Sequence, residues 1–280
     1  MAIDPDEHPM NAQATVQDRP KGVVAPSQAR KMFRMERYLP APELAPFIDH
    51  FWIVEWDLGG QPPYVQRTLP YPCVHLVFDS TGASGIWGVP TGAFDYELKG
   101  AGKVCGLRFR PGAFRAVLGR PLHSITDQVL ALAEVFPWDE AEARRAVLDT
   151  PDDAAMTAAA TRLLAPLLPA PDPQVERIAA ILRRAETTPG LTQVEQLALD
   201  AGMGVRSLQQ LFSDYVGVSP KWVIRRFRLH EAADRLANGD EPDLAALAQE
   251  LGYFDQAHFS ADFRKLVGES PSQYRKRARA

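Results

Sequence analysis

The chain is poor in the residue types that most often announce chemistry. Two cysteines, Cys73 and Cys105, are too few for a disulfide framework or a four-thiolate zinc site, so both are expected to be reduced core residues. Histidine is sparse: the central part of the first half holds only His50 and His75, with His123 beyond and no closely spaced pair, which argues against a metal-dependent enzyme. No apolar run approaches the roughly 18 residues of a membrane helix, and the N-terminus lacks a basic-then-apolar signal pattern. Neither a membrane role nor secretion is expected, the cytoplasm is the expected location, and no cofactor is implied. Strong charge is also missing, the net being −4.

What the chain does have is a pattern, densest toward its C-terminal end. In residues 243–275, Leu244, Leu247, Ala248 and Leu251 recur at helical spacing behind Asp243, a ready N-cap, and Gly252 breaks the run. A second helix is predicted from near Asp255, with Phe259, Phe263, Leu266 and Val267 as its apolar back. It ends at Gly268, and Ser270-Pro271 opens another element. Two short helices joined by a tight glycine turn describe a helix-turn-helix, whose second helix enters a DNA major groove. The pattern recurs upstream: Phe212, Val216, Gly217, Ser219 and Pro220 precede Phe263, Val267, Gly268, Ser270 and Pro271 by a constant 51 residues, and Leu197-Ala198 precede Leu247-Ala248 by 50. Two units stand in tandem, with one residue gained or lost in the turn.

About the last 110 residues resemble the arabinose-regulator (AraC/XylS) family of bacterial transcription regulators, most specifically in GVSPKWVIRRFRLHEAADRL and LGYFDQAHFSADFRKLVGESPSQYR. The resemblance implies sequence-specific binding of double-stranded DNA at an operator or promoter. Its base readers fall on Arg206, Gln209 and Gln210 of a first recognition helix, predicted over residues 205–215, and on Gln256 and His258 of the second. Its phosphate contacts fall on Ser207, Lys221, Arg225, Ser260 and Arg264. The side-chain chemistry suits this, since arginine pairs with guanine O6/N7 and glutamine with adenine N6/N7; the plain alternative is a set of polar residues on ordinary surface helices. Relatives often carry Ser at Gly204 and Arg at Ala261 and Gln210, so weaker direct readout by the second helix is expected. For His258 a base contact, a phosphate contact and turn packing all stay open.

Around these helices, Gln174–Arg184 is predicted helical, Thr192 and Glu195 form a capping box for the helix that follows, and one continuous helix is predicted over Lys221–Leu236. Trp222, Leu229, Ala233 and Leu236 form one apolar stripe of that helix, with Val223, Ile224 and Phe227 on another side. A helix apolar on two sides packs on both, and so holds the two units at a fixed separation. The family geometry implies recognition helices about one DNA turn, roughly 34 Å, apart. The charge follows the same division: residues 203–280 carry 12 Lys/Arg against 10 Asp/Glu, whereas residues 1–170 carry 16 against 20. Clusters at Arg225, Arg226 and Arg228 and at Arg275, Lys276, Arg277 and Arg279 are candidate phosphate contacts or a solvated surface.

The expected fold is α+β. Residues 1–31 are rich in Pro, Gln, Asp and Ala and are expected to be a disordered tail. Residues 32–118 hold seven short strand candidates: 33–38, 48–56, 66–69, 74–78, 86–89, 94–98 and 103–109, a β-barrel or sandwich. Through Tyr38-Leu39-Pro40, Trp52, Leu69-Pro70, residues 73–78 and residues 106–112 this segment resembles the cupin-like domains often fused to such DNA-binding domains. Trp52, Trp56, Phe78, Trp87 and Phe109 either line an apolar pocket or fill a small barrel. Residues 119–168 are predicted helical, as a dimerisation region or as a cover on the barrel; 169–173 form a proline-rich linker, and 174–280 the all-α domain of two tandem helix-turn-helix units. The leading reading is a DNA-binding transcription regulator, not an enzyme, controlled by a small molecule or partner acting on the first domain. RNA polymerase, a small-molecule effector and a second copy of the chain are the partners left open. The alternatives are a cupin-like metal-dependent enzyme fused to a DNA-binding domain, a repair protein with a zinc-held thiol, and a constitutive DNA-binding or dimerisation protein without a ligand.

Overall fold

β-branched and aromatic residues in short runs, cut by Gly and Pro, give the strands of the first domain, and the computed structural model places all seven within two residues of their expected starts. The structure describes residues 15–16, 26–188, 190–238 and 243–278. The strands are β1 (Arg34–Tyr38), β2 (Ile48–Asp57), β3 (Tyr64–Thr68), β4 (His75–Asp79), β5 (Gly85–Trp87), β6 (Phe94–Leu98) and β7 (Ala101–Phe109), with an eighth, β8 (Val129–Leu130), that was not expected. Six of them form one antiparallel sheet in the order β1-β2-β7-β4-β5-β8, and β3 and β6 form a separate two-stranded ribbon.

The period-two alternation decides what each sheet face meets. Phe51, Ile53, Leu76, Phe78, Cys105, Leu107 and Phe109 face a helical layer, whereas Trp52, Val54, Trp56, Val77 and Val104 face the ribbon with Tyr64, Tyr96 and Leu98. The five aromatics with a suggested common pocket are therefore divided between two cores, and they fill them. The helical layer is α2 (Phe114–Leu118), α3 (Glu140–Leu148) and α4 (Asp153–Leu164), with a 3₁₀ turn at Leu122–Ile125. Ala143, Val147, Met156, Ala160 and Leu164 are buried against the sheet.

The expected tail over 1–31 ends too late. Pro26–Met32 is a helix, α1, with Ala29 buried and Met32 packed among the ribbon-side residues, and Thr15 bridges to Tyr38. Ala29 and Met32 share one face, but a seven-residue helix is too short to show as a period. Residues 1–14 and 17–25 lie outside the described residues.

In the second domain the helices are α5 (Gln174–Thr187), α6 (Val194–Asp200), α7 (Val205–Tyr215), α8 (Pro220–Asn238), α9 (Leu244–Glu250), α10 (Gln256–Val267) and α11 (Pro271–Ala278). Helix α8 joins two cores, as its two apolar sides required. Val223, Ile224 and Phe227 pack with Leu208 and Phe212, and Leu229, Ala233 and Leu236 pack with Leu247, Phe259 and Phe263. Trp222 departs from the expected stripe: it joins the first core and its indole N–H donates to the Thr91 carbonyl of the first domain at 3.2 Å. The capping box at Thr192 and Glu195 is also absent. The N-cap of α6 is Gln193, with no side-chain cap bond. Thr192 lies instead so close to Gly252, at φ +80°, that a Cβ there would stand 2.4 Å from the threonine methyl.

Candidate nucleic-acid interface

The two helix pairs start their second helices by different local means and anchor both by a buried apolar back. In the second pair Asp255 accepts a hydrogen bond from the His258 amide at 2.7 Å and starts α10, and Gly268 at φ +95° ends it. In the first, Gly204 occupies the N-cap of α7 without a side-chain bond, and Leu208 and Phe212 anchor the helix from behind. This leaves Arg206, Ser207, Gln209 and Gln210 exposed near the start of α7. On α10, Gln256, Ala257, His258, Ala261 and Arg264 are exposed and Ser260 is half-buried. Lys221 and Arg225 are exposed on α8.

Two of these residues are engaged within the protein. The His258 ring stands edge-on to Tyr253 at 5.3 Å, and its Nε2 lies 3.9 Å from Asp262. Arg225 forms an ion pair with Asp262 across the α8–α10 contact, which holds its guanidinium above the usual arginine range. The neighbours of Arg225 in the basic cluster are not surface groups at all. Arg226 is buried, donates to the carbonyls of Thr91 at 3.0 Å and Gly92 at 3.3 Å, and stacks over Trp222 at 4.6 Å. Burial and the adjacent Arg225 charge pull it down to about 10. Arg228 is buried too, donating to the carbonyls of Ala185 at 2.8 Å, Glu186 at 3.2 Å and Thr188 at 3.2 Å, and so satisfies the open C-terminal end of α5. Arg277 pairs with Glu269, and Arg279 lies outside the described residues.

The first domain grips the second from behind the exposed reader positions. The far end of α7 meets the 3₁₀ turn: Ser213 lies 3.1 Å from the His123 ring, and the Thr126 hydroxyl donates to the Gly217 carbonyl at 2.6 Å. Arg115 of α2 donates to Asp214 at 2.7 Å. Tyr71 donates to Glu186 of α5 at 3.1 Å and packs on Phe227, while Leu69 enters the core of the second pair. Replacing Asp214 by alanine removes a partly exposed ion pair from this contact. A loss of about 0.5–1 kcal/mol is expected, read as a small drop in the thermal midpoint of the whole chain. Sequence patterning had no means of finding these contacts, since none repeats with a helix or strand period.

Residues 197–277 match the helix-turn-helix domain family, and residues 36–131 match a domain of unknown function (DUF6597). An uncharacterized HTH-type transcriptional regulator of Haemophilus influenzae is 39% identical over 83 residues, 30% of this chain and 28% of that protein. The RCS-specific HTH-type transcriptional activator RclR of Escherichia coli is 33% identical over 104 residues, 37% of this chain and 36% of that protein. The HTH-type transcriptional activator RhaS of Pectobacterium atrosepticum is 32% identical over 82 residues, 29% of each chain. The chain thus spans only about a third of the length of the curated relatives it matches. The C-terminal part is a helix-turn-helix domain of the kind found in transcription regulators. It is similar to the corresponding part of a putative AraC-like transcription regulator of Streptomyces antibioticus, 34% identical over 83 residues, 30% of this chain and 27% of that protein.

Proposed function

We propose that the chain is a sequence-specific DNA-binding transcription regulator, not an enzyme, that sets two recognition helices, α7 and α10, into successive major grooves about one DNA turn apart. The observation that carries this reading is the pair of helices with buried apolar backs and exposed polar starts, both built onto the single helix α8. In this reading Arg206, Gln209 and Gln210 read bases from α7, and Gln256 reads from α10 with His258 beside it. Ser207, Lys221, Arg225, Ser260 and Arg264 meet phosphate. Residues 32–118 form a cupin-like domain that senses a small molecule or partner, 119–168 cover its sheet, 169–173 link, and 174–280 bind DNA. The contacts of Arg115 and His123 with α7, of Thr91 with α8 and of Thr126 with the turn between them give such a signal a route to the DNA-binding half.

The test uses the full chain and a site it selects from a random-sequence duplex pool. Arg206→Ala is expected to cost about 1–3 kcal/mol on that site and to relax preference at one or two base pairs. Arg264→Ala is expected to weaken every sequence nearly equally and to flatten the salt dependence by about one phosphate contact. Selection of no preferred sequence would refute the proposal, and equal losses for both variants on selected and random DNA would remove Arg206 as a reader.

A further inference from the structure

The least explained side chain on the surface is Phe254, 91% exposed beside the start of α10. It occupies the position just before the N-cap Asp255. An apolar residue there ordinarily folds back onto the fourth helical residue, here Phe259, as a hydrophobic staple. Phe254 does not: Tyr253 fills that place, its ring 5.4 Å from Phe259. With Tyr253 turned into the core and the helix starting two residues on, Phe254 is left exposed, as are Gln256 and Ala257. Within α10, Ala257, Ala261 and Arg264 stand at helical intervals of four and three residues and are all exposed, on one face. The exposed residues at and after the start of α10 thus include an aromatic ring, two methyl groups and a cation beside the polar Gln256, while His258 is held by Tyr253 and lies near Asp262.

We propose that this surface reads DNA by apolar contact with the 5-methyl groups of thymine, the Phe254 ring and the Ala257 and Ala261 methyls replacing the long hydrogen-bonding readers of α7. Thymine is the one base that presents a methyl group in the major groove, and alanine and phenylalanine are among the side chains that meet it. The inference rests on the reading of α10 as a recognition helix. It replaces the expectation of weak readout in this half of the site with readout of a definite chemistry.

The full-length protein and its selected site provide the test. Thymines in the half of the site protected by α10 are replaced one at a time by deoxyuracil, which differs only in the missing methyl. One or more replacements there are expected to weaken binding about fourfold each, the ratio for one buried methyl group, and 5-methylcytosine with its guanine partner at the same position is expected to restore part of the loss. Phe254→Ala is expected to weaken binding about tenfold and to become indifferent to the deoxyuracil replacement that its ring senses, a non-additive pair. Because the side chain is exposed, the thermal midpoint should not move. Full affinity of Phe254→Ala, or no deoxyuracil effect anywhere in that half, overturns the inference. If Arg206→Ala still relaxes the other half, the DNA reading itself stands. If no sequence is selected at all, both fail. Lost transcription with unchanged DNA affinity would instead assign Phe254 to a protein contact and refute the thymine reading.

Discussion

Gly88→Ala is expected to cost about 3 kcal/mol or more of folding stability, above the usual range for one added methyl group. A Cβ at Gly88 would stand 1.8 Å from the carbonyl oxygen of Ile125 and 2.7 Å from its carbon. Both are backbone atoms, and neither strand nor turn has a side chain to swing aside. The Gly88 amide donates to the Gln128 carbonyl at 2.9 Å, so the two segments cannot part without losing that bond as well. The position also bears on function. Ile125 closes the 3₁₀ turn whose His123 lies beside Ser213, and Thr126, the next residue, bonds Gly217 at the end of α7. Chemical denaturation of the variant should show a lower midpoint, together with earlier proteolysis between the two domains. An unchanged midpoint would mean that the turn can retreat and does not fix the position of α7.

Acidification is expected to be the strongest solution effect, and His75 is its main source. Burial holds its imidazole down at about 3 against an ordinary 6.5, with the neighbouring Arg108 cation acting in the same direction. Its ring is fully engaged in the neutral form: Nδ1 accepts from the Trp52 indole at 3.1 Å, and Nε2 lies 3.3 Å from the Cys73 thiol. Between pH 6.5 and about 3 the unfolded chain takes up a proton at this residue and the folded chain does not. Stability is therefore intact above 6.5 and falls as pH drops through that window, by up to about 1.4 kcal/mol per pH unit. His50, also pushed down by burial, adds loss of the same sign. Urea midpoints across the window measure the slope. His75→Gln, which keeps an acceptor for Trp52, should reduce it and leave the part due to His50. An unchanged slope in that variant would clear His75.

How much of this was legible in advance depends on whether the deciding interactions are local. The starts and ends of α7, α9 and α10, the continuity of α8 and the seven strands are set by caps, glycine turns and apolar periods within a few residues. The same locality gave the exposed Arg206, Gln209 and Gln210, because a helix with a buried back must present its opposite side. The capping box at Thr192 failed for a related reason: the side chain had a second use, against Gly252, that lies 60 residues away along the chain.

The sequence by itself determined that two like helix pairs stand in tandem on one spacer helix, and which of their residues face outward. Only the tertiary structure decided that Arg226 and Arg228 serve carbonyl groups rather than phosphates, that the aromatics of the first domain belong to two cores instead of one pocket, and that Phe254 stays outside. The physical reason is that hydrogen bonding and burial are satisfied by whatever group the folded chain brings near. An arginine is drawn to open carbonyls at a helix end or a loop as readily as to DNA, and the position of those carbonyls is written nowhere near it in sequence.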